Sequence, residues 1–374
     1  MNDQQTIKVA SLFDGDKISY RKIIRIKNGC IDSIDSLAEN EECLFGMLVP
    51  GFIDIQVNGG GGFLFNQSPD VETLIGIASA HQKFGTTGWL PTLVTDNIEK
   101  MQQAADAVSD ARRVKNTGIL GIHFEGPHLS IAKKGVHSAE LIRGLGEREK
   151  QLFMRQDLGK VVVTLAPENV SPELIAELVN AGVLVCLGHS NADFETAQRA
   201  LDAGASGFTH LFNAMSQFTS REPGMVGAAL LDKKSYAGII LDGIHVHPDS
   251  AKLAFSQKKN IMLVTDAMPP VGCKQTSFEF FGQQVQREGN KLTDRNGSLA
   301  GSVLDMNTAV NNLAKILDIE KTEAINYASK MPAQFLGLQK KYGKIKVHFK
   351  ASMLLFDDKG SIVSSWINGD RIFG

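Results

Sequence analysis

The chain has 374 residues, 43% of them hydrophobic and 21% charged, with a formal net charge of -2 at pH 7. That is a globular composition, with no basic footprint for nucleic acid and no polybasic patch for a membrane surface. No apolar run approaches the ~18–20 residues of a membrane span, and the polar start MNDQQTIKVA carries no signal pattern. Cys30, Cys43, Cys186 and Cys273 lie far apart, with no C-x-x-C. They suit a reducing cytoplasm, and any metal must be held by carboxylate and imidazole. A chain longer than the ~250–300 residues at which one core stops growing predicts a large domain plus a smaller one.

In residues 1–49, TIKVASLFDG and KISYRKIIRIKNGCIDSID alternate apolar and polar positions, with Asp-Gly and Asn-Gly as turn signals. They read as hairpins of a small sheet. From residue 50 apolar β-branched runs alternate with helical stretches. The runs are PGFIDIQVNG, TTGWLPTLVT, GILGIHFEGPH, KVVVTLAPEN, VLVCLGHSN, ASGFTHLFNAM, YAGIILDGIHV and IMLVTDAM. Near-continuous apolar strands are buried on both faces, hence parallel. The fold class is α/β: a (β/α)8 TIM barrel over residues 50–342, with catalytic groups at the strands' C-terminal ends. A doubly wound sheet competes, but no G-x-G-x-x-G follows a strand. After the eighth run, SFEFFGQQVQREGNKLTD reads as a hairpin insertion. SVLDMNTAVNNLAKIL and EKTEAINYASKMPAQFLG read as amphipathic helices closing the barrel. Residues 343–374 are β-rich again, so both termini are expected to build one small β-sandwich domain.

Polar residues cluster where the apolar runs end: Glu125, His189, His210, His245 and Asp266. A lone histidine at a strand end is commonly a hydrogen-bonded rim residue, but five titratable groups on five strand tops converge on one pocket. Glu125, His189 and His210 form a carboxylate-imidazole set for catalytic zinc or a similar divalent ion, leaving a position for water. Such an ion lowers the pKa of its water towards ~7, giving hydroxide at neutral pH. Asp266 is then placed to accept the proton and pass it on; its bland reading is a turn cap.

The motifs PGFID, HFEGPH, KKGVH, GHSNA, THLFNAM, REPGMVGAAL, DGIHV, TDAM and LAGS resemble N-acetylglucosamine-6-phosphate deacetylases of the amidohydrolase superfamily, over residues 48–337. The resemblance implies that Glu125, His189 and His210 hold the primary metal and that Asp266 is the catalytic acid and base. It makes His137, beside Val136 in the substrate loop, the donor to the acetyl carbonyl and its oxyanion. Asn213 and Ala214 would offer backbone amides to the sugar phosphate, joined by Arg221 and His245, while Ala300 and Gly301 contact the sugar. Arg221 would reach the neighbouring active site of a homodimer.

Many metal-dependent hydrolases end the first barrel strand in His-x-His, where this chain reads Gln56-Val57-Asn58. Neutral amides are poor ligands, so one divalent ion per subunit is expected, with Gln56 and Asn58 lining the pocket through hydrogen bonds. Zinc is the default; iron, manganese, cobalt or nickel suit the same ligands. The tail, VHFKASMLLFD, departs from the family's G-x-x-A-D-x-V and touches only the small domain. The expected reaction is hydrolysis of N-acetyl-D-glucosamine 6-phosphate to glucosamine 6-phosphate and acetate. Alternatives are the same reaction on N-acetylgalactosamine 6-phosphate and, more distantly, a non-catalytic scaffold.

The remaining histidines read blandly: His81 on a surface helix, His348 in the tail sheet, His123 within the third strand and His247 ahead of a helix-starting proline. His128, just past Glu125, stays open. Gly59 to Gly62 reads as a loop beside the sugar site rather than a phosphate cradle.

Overall fold

The computed structural model describes residues 4–374. Eight parallel strands lie in chain order around a barrel. They are Phe52–Val57, Thr86–Val94, Gly121–Glu125, Lys160–Leu165, Leu184–Leu187, Gly207–Phe208, Tyr236–Ile239 and Ile261–Leu263. Every residue of Phe52–Val57, Thr86–Val94 and Gly121–Glu125 is buried. That explains the unbroken apolar runs, since a strand covered on both faces has no solvent face to keep polar.

The eighth strand closes onto the first beyond its regular end. Val57 bridges Ala267 in parallel, and the backbone N–H of Asp266 donates to the Gln56 carbonyl at 3.0 Å. One layer below, the Thr265 hydroxyl donates to Asp54 Oδ2 at 2.5 Å, and burial pushes the Asp54 carboxyl up to about 7. Closure therefore fixes Gln56 and Asp266, from opposite ends of the barrel segment, against each other.

Helices follow the strands, and their starts are capped at the same end of the barrel. Asp70, Asn97, Ser171 and Asp193 each accept a backbone N–H from the first turn of the helix behind them, which satisfies donors that would otherwise be orphaned. The expected long second closing helix is two, Lys321–Ala328 and Lys330–Phe335. It breaks at Ser329 because Pro332 cannot donate to the preceding turn.

Both termini meet in one seven-stranded sheet. Its spatial order is Asp370–Phe373, Ile362–Ile367, Met353–Phe356, Leu44–Pro50, Gln4–Phe13, Ile18–Lys27 and Cys30–Ser36. Ile7, Val9, Ile24, Leu48, Met353 and Trp366 give it a separate apolar core. His348 departs from the expected tail strand: it sits in a turn with φ 73°, its N–H donating to the Ile31 carbonyl at 2.8 Å. The insertion after the eighth strand is a three-stranded antiparallel sheet, Ser277–Phe280, Gln283–Glu288 and Lys291–Thr293. No helix among the described residues is long and apolar enough to cross a membrane.

Candidate active site

The strand tops turn sharply to aim their polar residues inward. His189, His210 and Asp266 have φ values of 47°, 32° and 51°, and Ala214 follows at 49°. Left-handed backbone at non-glycine residues costs on the order of 1–3 kcal/mol each and needs surrounding bonds to persist. Those bonds are present: the carbonyls of His189 and Asp266 accept from the N–H groups of Ser130 and Ser302, each at 2.9 Å.

Glu125, His189 and His210 bring their donor atoms within 4.8 Å of one another, all buried. Glu125 Oε1 lies 3.2 Å from His189 Nε2 and 3.1 Å from His210 Nε2, and the two Nε2 atoms are 2.9 Å apart. The Lys133 carbonyl is 2.9 Å from His189 Nδ1; a carbonyl can only accept, so Nδ1 carries the proton and Nε2 presents a lone pair. Two imidazole nitrogens and a carboxylate oxygen aimed at one point fit a divalent ion.

Asp266 stands beside this set. Its Oδ1 accepts from Asn58 Nδ2 at 2.6 Å and from Gln56 Nε2 at 3.3 Å, and Gln56 Nε2 also donates to Glu125 Oε1 at 3.0 Å. Both amides thus act as donors to carboxylates. Burial first, and then the nearby Glu125 charge, push the Asp266 carboxyl up to about 6. His137 packs edge-on against His189 with ring centroids 4.4 Å apart, and burial holds its imidazole well below the ordinary range. Its Nδ1 lies 2.7 Å from the Thr95 hydroxyl. His245 donates from Nδ1 to Asp242 Oδ2 at 2.6 Å, leaving Nε2 free.

These groups share a cavity of about 320 Å³. Asn58, Val136, His137, Asn213, Ala214, His245 and Gly301 line it together with the three donors and Asp266. Three of the expected residues lie elsewhere. Gln56 is buried behind the carboxylates rather than on the wall. Ala300 is buried in an apolar cluster with Met268 and Phe280, and Arg221 is exposed on a surface loop. A larger cavity of about 610 Å³, lined among others by Phe84, Lys274, Arg287 and Asp305, holds none of the convergent donors.

Three features escaped the sequence. Thr95 touches His137 but reads as an ordinary strand threonine in TLVT. The insertion reaches over the cavity through Phe280, Ser298 and Leu299; its place after the last barrel strand, where loops face the active site, was the available signal. His81 is not on a surface: it is buried, its Nε2 2.9 Å from the Gly59 carbonyl. A Cβ on Gly60 would lie 2.7 Å from that nitrogen, so a side chain at position 60 would collide with the His81 ring. His123 bonds Ile55 and Thr164 inside the barrel, and His247 caps its helix. His128 bonds the Arg143 carbonyl, packs on Phe153 and does not line the cavity.

Comparison with known proteins agrees with this geometry. The model of the amidohydrolase family matches residues 47–372. The chain is 53% identical to the N-acetylgalactosamine-6-phosphate deacetylase of Shewanella sp. (strain ANA-3), over 88% of this chain and 84% of that one. It is 34% identical to the N-acetylglucosamine-6-phosphate deacetylase of Haemophilus influenzae, over 86% and 85% of the two chains. The crystal structure of the Pasteurella multocida N-acetylglucosamine-6-phosphate deacetylase superposes with a TM-score of 0.94 at 34% identity, covering 99% of this chain and 100% of the other. With a metal-competent triad at the head of its barrel, the chain belongs to the metal-dependent amidohydrolase family, among its amino-sugar-phosphate deacetylases.

Proposed function

We propose that this enzyme hydrolyses the acetamide of an N-acetylhexosamine 6-phosphate, releasing acetate and the amino-sugar 6-phosphate. The observation that carries the reading is Asp266, buried beside the Glu125-His189-His210 set and held by Asn58. A single divalent ion, zinc by the nitrogen-oxygen donor set, would be held by that triad and would polarise the carbonyl and activate water. Asp266 takes the proton from the attacking water and hands it to the leaving amine. His137 supports the carbonyl oxygen as negative charge develops there. The backbone amides of Asn213 and Ala214, with His245, bind the phosphate, and Val136 and Gly301 pack on the sugar.

Arg221 is proposed to complete the phosphate site of the neighbouring copy in a homodimer, since it is exposed and does not line its own cavity. A guanidinium–phosphate pair is worth about 1.5–3 kcal/mol. Arg221→Ala should therefore raise KM for the phosphorylated sugar by roughly 10–100-fold, with kcat/KM on the unphosphorylated sugar unchanged. Equal losses on both substrates would remove Arg221 from the phosphate site.

For the sugar itself, the 53% identity to the Shewanella N-acetylgalactosamine-6-phosphate deacetylase, against 34% to the Haemophilus enzyme, favours the galacto epimer. N-Acetylglucosamine 6-phosphate is the second reading, supported by the TM-score of 0.94 to the Pasteurella multocida structure. Acetate release from both sugar phosphates tests this. A preference of about tenfold for the galacto substrate is expected, the worth of one hydrogen bond to a hydroxyl. A gluco preference selects the second reading, and release from neither overturns the function.

A further inference from the structure

We propose that Thr95 is a positioning residue that fixes the tautomer of His137, placing its one proton on Nε2 so that the ring can donate into the cavity. This rests on the reading of His137 as the donor to the acetamide oxygen. A neutral imidazole carries one N–H, and which nitrogen holds it is set by the partner of the other. His137 is 3% exposed, and among the described residues only Thr95 is in hydrogen-bond range of its Nδ1, at 2.7 Å.

A hydroxyl can donate or accept, so its other neighbours decide its role. Among the described residues, the one other acceptor within reach of the Thr95 hydroxyl is the Glu125 carbonyl, at 3.4 Å. That separation lies outside the ~2.5–3.0 Å range of a good O–H···O bond. The same carbonyl already accepts the Thr95 backbone N–H at 2.9 Å. The hydroxyl proton is therefore directed to Nδ1, which becomes an acceptor and leaves the proton on Nε2.

The backbone around this pair is built to admit it. Gly126 has φ 91°, and a Cβ there would lie 2.2 Å from the Thr95 hydroxyl oxygen. Any larger residue at 126 would push the hydroxyl away from the ring. Thr95 directly follows the second barrel strand, Thr86–Val94, and His137 sits in a loop 42 positions later, so this bond also helps to tie that loop to the barrel.

Two measurements test the assignment. Neutron diffraction from the deuterium-exchanged, zinc-loaded enzyme should show a deuteron on His137 Nε2 and none on Nδ1. A deuteron on Nδ1 would overturn the proposal, whatever the substrate proves to be. In steady-state kinetics, Thr95→Val keeps the shape but removes the donor. It should lower kcat by about 10²-fold, the scale of one misdirected oxyanion donor, with KM within about threefold. Thr95→Ser keeps the hydroxyl and should restore kcat to within about threefold of wild type. If Ser fails as badly as Val, the methyl rather than the hydroxyl matters and the inference is wrong. Absence of wild-type turnover on either sugar phosphate would count against the proposed function instead, leaving the neutron result to judge Thr95.

Discussion

Asp266→Asn should lower kcat by roughly 10³–10⁴-fold while substrate binding persists, a loss of about 4–5.5 kcal/mol of transition-state stabilisation. The substitution keeps size and shape, and Asn58 and Gln56 can still bond the remaining oxygen, so the site should stay assembled. What disappears is the group proposed to accept the proton of the attacking water and return it to the amine. The wild-type pH profile carries the same signature. As a base Asp266 must be ionised, so kcat/KM should fall as pH drops through about 6, and at a lower pH once a neighbouring cation stabilises the carboxylate. Isothermal titration with the sugar phosphate, beside acetate release, separates binding from chemistry. Near-normal turnover in the Asn variant, or a rate that climbs as pH falls, would remove Asp266 from the proton path.

His210→Ala should cost both the ion and the reaction. His210 Nε2 is 3.1 Å from Glu125 and 2.9 Å from His189, so its ring closes one side of the donor set. Two remaining donors cannot hold an ion as three do, and metal content after dialysis should fall to a small fraction of wild type. Turnover should fall by about 10³-fold or more, since in the proposed reaction the ion would supply both carbonyl polarisation and water activation. Asn58→Ala is the contrasting change: Asn58 bonds Asp266 and no member of the triad. It should therefore keep full metal content while slowing turnover. A His210→Ala enzyme that retains both stoichiometric metal and activity would show that the triad is not the metal site.

Much of this is legible in the sequence alone. Doubly covered parallel strands have no polar face, so GIHFE and KVVVTL announce themselves, and the residue that ends such a run must point into the barrel mouth. That is why Glu125, His189, His210 and Asp266 could be grouped across 142 positions of chain. The functions of single neutral residues were harder to see. Thr95 matters because of a loop 42 residues away, and nothing in TLVT marks it. His81 lies on a helix whose apolar pattern says nothing of the glycine loop facing it. Gln56 was expected on the wall, but closure of the eighth strand onto the first places it behind the carboxylates, where its one amide group bridges Glu125 and Asp266.

The bridge also explains why QVN is compatible with catalysis. In place of two further ligands, Gln56 and Asn58 supply N–H donors that orient the carboxylates already present. One ion per chain, not two, is the central proposal, and a metal titration tests it most directly. Zinc is added stepwise to the chelator-treated enzyme and acetate release is measured at each step. Activity should rise linearly and break sharply at one equivalent per chain. A break at two equivalents, or full activity with none, would contradict the account.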